Sequence, residues 1–173
     1  KDANCLLPWF AEIKNLIGVA AGPAHSKHGT EDSFDHTMDV LDQYVGKSAE
    51  SKFACLCHDF GKALSEEPPK HHGHGKAGIP FVNDFCARLN APNSFKKSAF
   101  CFTLNHMTMH RILEMRCGKA ARLALKAEKG MTGGIKEFLF CSVADGMSFE
   151  YALNILRKSK AAFAVRLPVQ HIG

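Results

Sequence analysis

The chain has 173 residues, of which 46% are hydrophobic and 23% charged, and its formal net charge is +5. A chain of this length buries roughly two-thirds of its unfolded surface, so one globular domain can fold without disulfides or a structural metal. The composition excludes a disordered chain. The most lipophilic stretch, residues 6–19, is interrupted by Glu12 and Lys14, and no apolar run reaches the roughly 18 residues that a membrane span requires. Because no signal sequence is visible either, we expect a soluble protein.

Cysteine usage indicates a reducing compartment. The chain holds seven cysteines, an odd number that includes no Cys-x-x-Cys pair. Most lie in apolar stretches, where a thiol behaves as a small hydrophobe. We therefore expect free thiols and a cytoplasmic protein. The positive charge favours phosphate-bearing partners, but no block of lysines and arginines marks a dedicated nucleic-acid arm.

Apolar residues repeat at helical spacings along nearly the whole chain, which predicts an all-α helical bundle. The first clear helix covers about residues 33–45, with Ser33 as N-cap and Gly46 at its end. Its apolar stripe is Phe34, Met38, Leu41 and Val45. Further helices are predicted over about residues 51–64, 79–89, 94–110, 119–129, 132–145 and 148–165. Two polar loops, residues 20–32 and 65–75, interrupt them, and the second is rich in histidine, as a loop that lines a site would be.

The segment from Phe53 to Lys62, FACLCHDFGK, is a strongly apolar helix that ends in an imidazole beside a carboxylate, His58 and Asp59. A buried carboxylate must be paired or bound to a metal, because burial of an isolated charge is prohibitive. For an arbitrary His-Asp pair, simple hydrogen bonding to neighbouring groups is the usual explanation. The apolar context makes that explanation less favoured here.

Two distant residues complete a set of metal donors. His36 lies beside the apolar stripe of its helix, at a boundary where an imidazole can enter a cleft. Asp145 follows Phe138 and Cys141 at spacings of three and four, so a carboxylate falls on a core-facing stripe and requires a cation. The full set is His36, His58, Asp59 and Asp145. Two nitrogens and two carboxylates suit Mn, Fe, Co, Ni, Zn or, less well, Mg, and leave positions open for water and substrate.

The order of these residues resembles the HD superfamily of metal-dependent phosphohydrolases. Longer strings are similar to the HD domain that forms the C-terminal part of bacterial multifunctional CCA-adding enzymes, the tRNA nucleotidyltransferases. They are HTMDVL from residue 36, FACLCHDFGKAL from residue 53, KHHGHGKAG from residue 70 and VAD from residue 143. The similarity covers about residues 7–149.

This resemblance implies an all-helical metallophosphohydrolase with phosphatase, 2′-nucleotidase and 2′,3′-cyclic phosphodiesterase activities on nucleotide or RNA-end phosphates. It carries over a first divalent metal ion, Ni, Mn, Co, Fe or Mg, with the ligands His36, His58, Asp59 and Asp145. It also implies a parent enzyme that binds tRNA, and it leaves a homodimer open. Residues 1–173, with a core of about 7–165, are then expected to be a single HD domain excised from a longer enzyme, since the chain begins with Lys rather than Met.

The sequence also departs from the family. After Asp145 these domains tend to carry arginines, whereas here Gly-Met-Ser-Phe follows. A nucleotidyltransferase head needs a Gly-Gly or Gly-Ser turn followed by paired aspartates, and the candidate Gly133-Gly134 has no Asp-x-Asp after it. We therefore exclude CCA addition by these 173 residues alone.

Further histidines are candidates for a second metal ion or a substrate-phosphate contact. His74 begins a His-x-x-x-Gly step that resembles the source of extra ligands in two-metal HD proteins, and His106 shares a helical face with His110. We predict roles for His74 and His106 but a solvated surface position for His110 and His71. His72 stays open, and no role is expected for His25, His28 and His171.

Lysines are candidates for holding a phosphoryl oxygen. Lys62 comes one turn after the His-Asp pair and is predicted to be catalytic together with His74 and His106, the alternative being simple solvation at a helix end. Lys70 or Lys76 are weaker candidates for the same task. The leading mechanism is hydrolysis by a metal-activated water attacking phosphorus in line.

Two alternatives remain open. One is a non-catalytic module that binds tRNA or dimerises a CCA-adding enzyme, with phosphate contacts from basic residues scattered near helix ends. These are Lys96, Lys97, Arg116, Lys119, Arg122 and Lys126. The other is a purely structural metal site, which is less favoured because such sites prefer four Cys or His ligands.

Overall fold

A computed structural model describes residues 9–22, 32–64 and 71–164. In chain order the helices are α1 (Ala11–Lys14), α2 (Ser33–Gln43), α3 (Ala49–Cys57), α4 (His74–Ala77), α5 (Ile79–Arg88), α6 (Asn93–Met109), α7 (Cys117–Gly130), α8 (Gly134–Ala144) and α9 (Phe149–Ala164). Short 3₁₀ turns cover Phe60–Leu64 and Ile112–Glu114. Across these ranges the strand pairing is limited to one isolated bridge between Ala20 and Asp32. The predicted all-α fold is confirmed.

Helix α6 is the centre of the bundle. Its 17 residues give it a length of about 25 Å, and it packs against α3, α4, α5, α7 and α8. Phe102 is fully buried on α6 and meets Phe138 of α8 edge to face, with ring centroids 5.0 Å apart. Thr103 and His106 are buried on the same helix. This helix therefore carries the aromatic core at its middle and polar groups towards its C-terminal end.

Helix α2 buries a different face from the one that its apolar stripe predicts. Its buried residues are Ser33, His36, Thr37 and Val40. Val45, assigned to the stripe, lies beyond the helix and is 72% exposed. Hydroxyl hydrogen bonds make burial of the polar face possible: Thr37 Oγ1 donates to Ser33 O at 2.7 Å, and Ser33 Oγ donates to Ala20 O at 3.3 Å. This rotation turns His36 into the interior.

Both ends of α2 also correct the prediction. Asp32, and not Ser33, is the N-cap, since its carboxylate accepts the backbone N–H of Asp35 at 2.9 Å. At the other end, Tyr44 turns to extended backbone. The helix therefore stops before the predicted end at Gly46.

The segment predicted as one helix over residues 51–64 is divided into two. Helix α3 begins after its N-cap Ser48 and stops at Cys57, and the 3₁₀ turn starts at Phe60. His58 and Asp59 lie in the short interval between them. The division separates the imidazole and the carboxylate from a regular helix and places them at its C-terminal end.

Two glycines allow α4 to approach its neighbours closely. A Cβ on Gly61 would overlap the carbonyl oxygen of His74, and a Cβ on Gly75 would overlap that of Thr103 on α6. Neither obstacle is a flexible side chain, so the approach depends on glycine. Helix α4, which carries His74, is thereby held between the 3₁₀ turn and α6.

The sequence predicts free thiols and the absence of a membrane-spanning segment. The cysteines in the described ranges are free thiols, and all but Cys117 are buried. In the same ranges, each helix is too short or too polar to cross a membrane.

Candidate metal centre

The four predicted metal ligands meet in one buried cluster. His36 comes from α2, His58 and Asp59 follow α3, and Asp145 follows α8, and none is more than 6% exposed. His58 and Asp145 are the C-caps of their helices. The C-terminal end of a helix carries partial negative charge, so two helix ends at the cluster favour a cation there.

The donor atoms of this cluster are close enough to share one ion. His36 Nε2 lies 3.1 Å from Asp145 Oδ1 and 3.8 Å from Asp59 Oδ2. His58 Nε2 lies 3.2 Å from Asp59 Oδ2 and 3.5 Å from Asp145 Oδ1. Two ligand atoms that are each about 2.1 Å from one ion can be no more than about 4.2 Å apart, and these four separations all satisfy that limit. We call His36, His58 and Asp145 the first group.

A second group lies on the other side of Asp59. His74 Nε2 is 3.3 Å and His106 Nε2 is 3.8 Å from Asp59 Oδ1, and the two imidazole nitrogens are 3.0 Å apart. The donor atoms of Asp59, His74 and His106 all lie within 4.8 Å of one another, as do those of the first group. Asp59 thus directs Oδ2 to one group and Oδ1 to the other.

Three imidazoles are oriented by the same local device. The Nδ1 of His58, His74 and His106 lies 2.6, 2.8 and 3.0 Å from the carbonyl oxygen three residues earlier, on Cys55, His71 and Thr103 respectively. A carbonyl only accepts, so each Nδ1 carries a proton and each Nε2 faces the centre, where it presents a lone pair when the ring is neutral. When these rings are neutral, the His74 and His106 lone pairs face each other at 3.0 Å. A cation between them removes that repulsion.

Burial and charge determine the ionisation of the cluster. Burial lowers the pKa of His58, but the carboxylates of Asp59 and Asp145 outweigh it and hold that pKa well above its usual range. Burial raises the pKa of both carboxyl groups, yet His58 and the other cations around them hold each pKa well below its usual range. Burial lowers the pKa of His106 to about 3. The carboxylates are therefore ionised at neutral pH, and His106 is a neutral imidazole.

Lys62 is placed differently from the prediction that it faces substrate. Its side chain is 4% exposed, with Nζ 2.6 Å from Asp59 Oδ2. The same ammonium donates to Ala21 O at 2.7 Å. In this arrangement it neutralises the carboxylate shared by the two groups.

Two histidines that we assigned to the solvated surface are not there. His110 Nε2 lies 3.4 Å from Asp145 Oδ2, and its side chain is only 23% exposed. His71 is 3% exposed, and its Nε2 donates to Ala20 O at 2.6 Å while its own carbonyl accepts from His74. The spacing of His110 to His106 placed both on one face, but the sequence could not show that this face meets α8. The sequence around His71 has no comparable spacing that would indicate burial.

The remaining candidates do not enter the centre. His72 and Lys76 are exposed on the surface of the segment that begins α4. The predictions for Lys70, His25, His28 and His171 fall outside the described residues.

The residues present fit a divalent cation. In the part of the chain that the structure describes, His58 Nε2 and both oxygens of Asp59 are buried and make no hydrogen bond of good geometry, although Asp59 Oδ2 is ion-paired with Lys62. Buried polar atoms in native proteins are satisfied in the great majority of cases, so such atoms in one cluster require an explanation. Imidazole nitrogen and carboxylate oxygen are the donors that borderline divalent metals prefer, and the two groups supply both.

The chain is similar in sequence to bacterial multifunctional CCA proteins. It is 36% identical over 151 residues to the multifunctional CCA protein of Methylococcus capsulatus (Bath), 34% over 133 residues to that of Shewanella frigidimarina and 39% over 120 residues to that of Psychromonas ingrahamii. The alignments cover 84%, 74% and 66% of this chain.

The multifunctional CCA proteins are much longer than this chain. The alignments cover 35%, 31% and 29% of the three relatives, so the chain spans about a third of their length. No family model and no solved structure matches the chain. The similarity therefore relates this chain to one part of each CCA protein.

Proposed function

We propose that this chain is an HD-type, metal-dependent phosphohydrolase domain that acts on nucleotide or RNA-end phosphates, of the 2′-nucleotidase and 2′,3′-cyclic phosphodiesterase type. The observation that carries the proposal is the shared carboxylate of Asp59, with one oxygen facing each group of buried donors. Two adjacent cation sites suit the charge of a phosphate ester, whose attacking and leaving oxygens both need stabilisation.

The residues that would hold a first cation are His36, His58, Asp59 and Asp145. His74 and His106, together with Asp59, would hold a second. When bound, Ni, Mn, Co, Fe or Mg ions supply Lewis acidity, which lowers the pKa of water and offsets phosphate charge.

Backbone carbonyl groups and side chains of the protein perform the supporting steps. The carbonyl oxygens that accept from Nδ1 keep the three imidazoles in the orientation that presents Nε2. Lys62 holds the shared carboxylate in place through its contacts with Asp59 and Ala21. His110 has a partly exposed side chain. We assign to it the exchange of a proton between the site and solvent during departure of the leaving oxygen.

The similarity to multifunctional CCA proteins supports the biological context of the proposal. In that context the domain acts as a module of a tRNA nucleotidyltransferase, and its phosphoester substrates are those of nucleotides and tRNA ends. Nucleotide addition itself is not assigned to these residues, because Gly133-Gly134 is not followed by paired aspartates.

A substrate panel tests the proposal. The purified chain is assayed with 2′,3′-cyclic AMP, 2′-AMP and p-nitrophenyl phosphate in EDTA and with added Mn²⁺, Ni²⁺, Co²⁺ or Mg²⁺. We expect metal-dependent turnover that Asp59→Ala lowers by at least about 100-fold, since loss of even an outer-sphere partner lowers metal affinity or activity about 10–100-fold. The matched control is Asp39→Ala, which removes an exposed carboxylate of α2. Equal metal-dependent turnover in Asp59→Ala would show that the assignment is wrong.

A non-catalytic RNA-binding or dimerisation module is the second candidate function. The basic surface of α7 described below favours it. Metal content separates the two candidates. A chain that binds no divalent metal but binds RNA in a salt-dependent way is a non-catalytic module and not a phosphohydrolase.

A further inference from the structure

Helix α7 carries a continuous row of cations. Arg116 is its N-cap, and Lys119, Arg122, Lys126 and Lys129 follow at spacings of three, three, four and three. All five side chains are exposed. Residues three and four apart are neighbours on a helix surface, so the five cations form one row about 20 Å long. The sequence prediction treats basic residues as scattered near helix ends, whereas on this helix five of them follow one another at helical spacing. We call these five residues the α7 basic row.

Among the described residues, acidic side chains do not form ion pairs with this row. Glu128 is the acidic residue of α7, and its Oε2 accepts the backbone N–H of Ile135 at 2.9 Å, towards α8. The described ion pairs do not include any cation of the row, whereas nearby Arg111 is paired with Glu114. The positive charge of the row is therefore not offset by ion pairs within the described part of the chain.

The neighbouring helix extends the basic surface. Lys97 is exposed on α6, and Cys101 Sγ, one turn later, lies 3.5 Å from Lys126 O on α7. Burial raises the pKa of Cys101 to about 11, and Lys97 and Lys126 both act against this rise. These two ammonium groups therefore lie near the same thiol, on adjacent helices. Leu104 and Met107 follow on α6, and they are 47% and 48% exposed.

This combination fits a nucleic-acid strand better than an acidic protein patch. Nucleic acids carry phosphates at a regular spacing, about 3.4 Å per strand along the axis of duplex DNA, so a 20 Å row spans several of them. The exposed apolar side chains of Leu104 and Met107 on α6, the neighbouring helix, offer contact area to sugars and bases. An acidic protein surface has no comparable fixed repeat of charge.

The row also begins near the metal centre. His110 contacts Asp145, and Arg116 follows six residues later along the chain. Six residues span at most about 20 Å. A strand whose backbone lies on the row therefore has its first contact within about 20 Å of His110, a distance of several nucleotides.

We propose that the α7 basic row, extended by Lys97, binds the sugar-phosphate backbone of an RNA strand. The choice of RNA over DNA rests on the proposed function. The binding itself does not require metal or hydrolysis, so the two proposals fail in different experiments.

The test measures binding of a fluorescein-labelled RNA hairpin with a single-stranded 3′ end, by anisotropy, in EDTA and from 50 to 300 mM KCl. Four or five phosphate contacts predict that log Kd rises with log salt with a slope of about 3–4. Arg122→Ala/Lys126→Ala is expected to weaken binding about tenfold and to lower the slope by about 2. The control Lys47→Ala/Lys52→Ala removes the same charge from exposed positions around α3 and is expected to bind like wild type.

Thermal melting reports folding of each variant, and hydrolysis of p-nitrophenyl phosphate, which is too small to reach the row, reports the metal centre. The proposal predicts unchanged hydrolysis in Arg122→Ala/Lys126→Ala. Equal loss of binding in both double variants would show only a general charge effect and overturn the proposal. Unchanged RNA binding in Arg122→Ala/Lys126→Ala would also overturn the proposal. If that variant kept RNA binding but lost binding to poly-glutamate, the row would bind acidic protein surfaces instead. A DNA hairpin of the same sequence that binds more tightly than RNA would overturn the choice of RNA.

Discussion

Replacement of Lys62 by methionine tests how charge is balanced at the centre. The ammonium lies 2.6 Å from Asp59 Oδ2, and the two side chains are 4% and 1% exposed. At an effective dielectric constant of about 20, their attraction is about 6 kcal/mol before desolvation is subtracted. Removal of one partner from a buried ion pair typically costs about 3–5 kcal/mol, because the other charge stays buried.

For a domain of this size, each kcal/mol lowers Tm by about 2–4 °C. In EDTA, Lys62→Met is therefore expected to lower Tm by about 6–20 °C. A divalent cation replaces the lost positive charge beside Asp59. Saturating Mn²⁺ is therefore expected to raise the Tm of Lys62→Met by more than it raises that of wild type.

Differential scanning fluorimetry, with and without Mn²⁺, measures both shifts. Lys52→Met is the matched control: Lys52 is exposed, and its replacement should change stability by no more than about 0.5 kcal/mol. Lys62→Gln provides a second variant if methionine impairs folding. The reasoning is refuted if Lys62→Met in EDTA melts within 2 °C of wild type, or if Mn²⁺ stabilises it no more than wild type.

Two further predictions concern the fold around the centre. Arg88→Ala removes both guanidinium contacts, at 2.8 and 2.6 Å, from Glu12, whose side chain is 6% exposed. This should lower the free energy of unfolding by about 1–3 kcal/mol near pH 7. Burial raises the pKa of Glu12, but Arg88 lowers it below its usual value. The stabilisation is therefore present above about pH 4.5 and is lost as pH falls, so the Tm difference from wild type should shrink in acid. Gly75→Ala places a Cβ on the Thr103 carbonyl. It should lower the free energy of unfolding by about 1–3 kcal/mol and weaken binding of a second metal ion. Thermal melting and Mn²⁺ titration measure these two effects.

Each of these predictions has a matched control. Arg111→Ala breaks a pair whose side chains are 75% and 63% exposed, and no measurable change in Tm is expected. A Tm difference for Arg88→Ala that stays constant down to pH 3 would contradict the role of Glu12. For Gly75→Ala the control is Gly118→Ala, where the nearest obstacle is 3.9 Å away. If both glycine variants bind Mn²⁺ with the same stoichiometry and affinity, α4 is not held as described.

The helical fold and the burial of several site residues could be predicted from periodicity. The stripe of Phe138 and Cys141 places Asp145 in the interior, and all three residues are buried. Helical spacing is informative there because α8 is apolar on the face that it buries. The apolar run before His58 likewise predicts its burial, which the structure confirms.

The same reasoning was wrong where polar groups are buried through specific hydrogen bonds. Ser33 and Thr37 lie on the buried face of α2 because backbone carbonyls accept their hydroxyl protons, and hydrophobicity cannot reveal such partners. His110 is an equivalent case on α6, since its neighbour Asp145 comes from a helix distant in sequence. The basic row of α7 was missed for another reason. Its spacing is visible in the sequence, but Arg116 lies outside the helix predicted over residues 119–129, and the predicted phosphate contacts do not include Lys129.

The most direct test of the central claim is the metal content of the wild-type chain and of Asp59→Asn, after loading with Mn²⁺ and removal of free ion by desalting. Asparagine keeps the shape of the side chain but removes the carboxylate that faces both groups. A metal centre built around Asp59 predicts about one to two ions per wild-type chain and almost none in the variant. Equal metal content in the two proteins, or none in wild type, would contradict it.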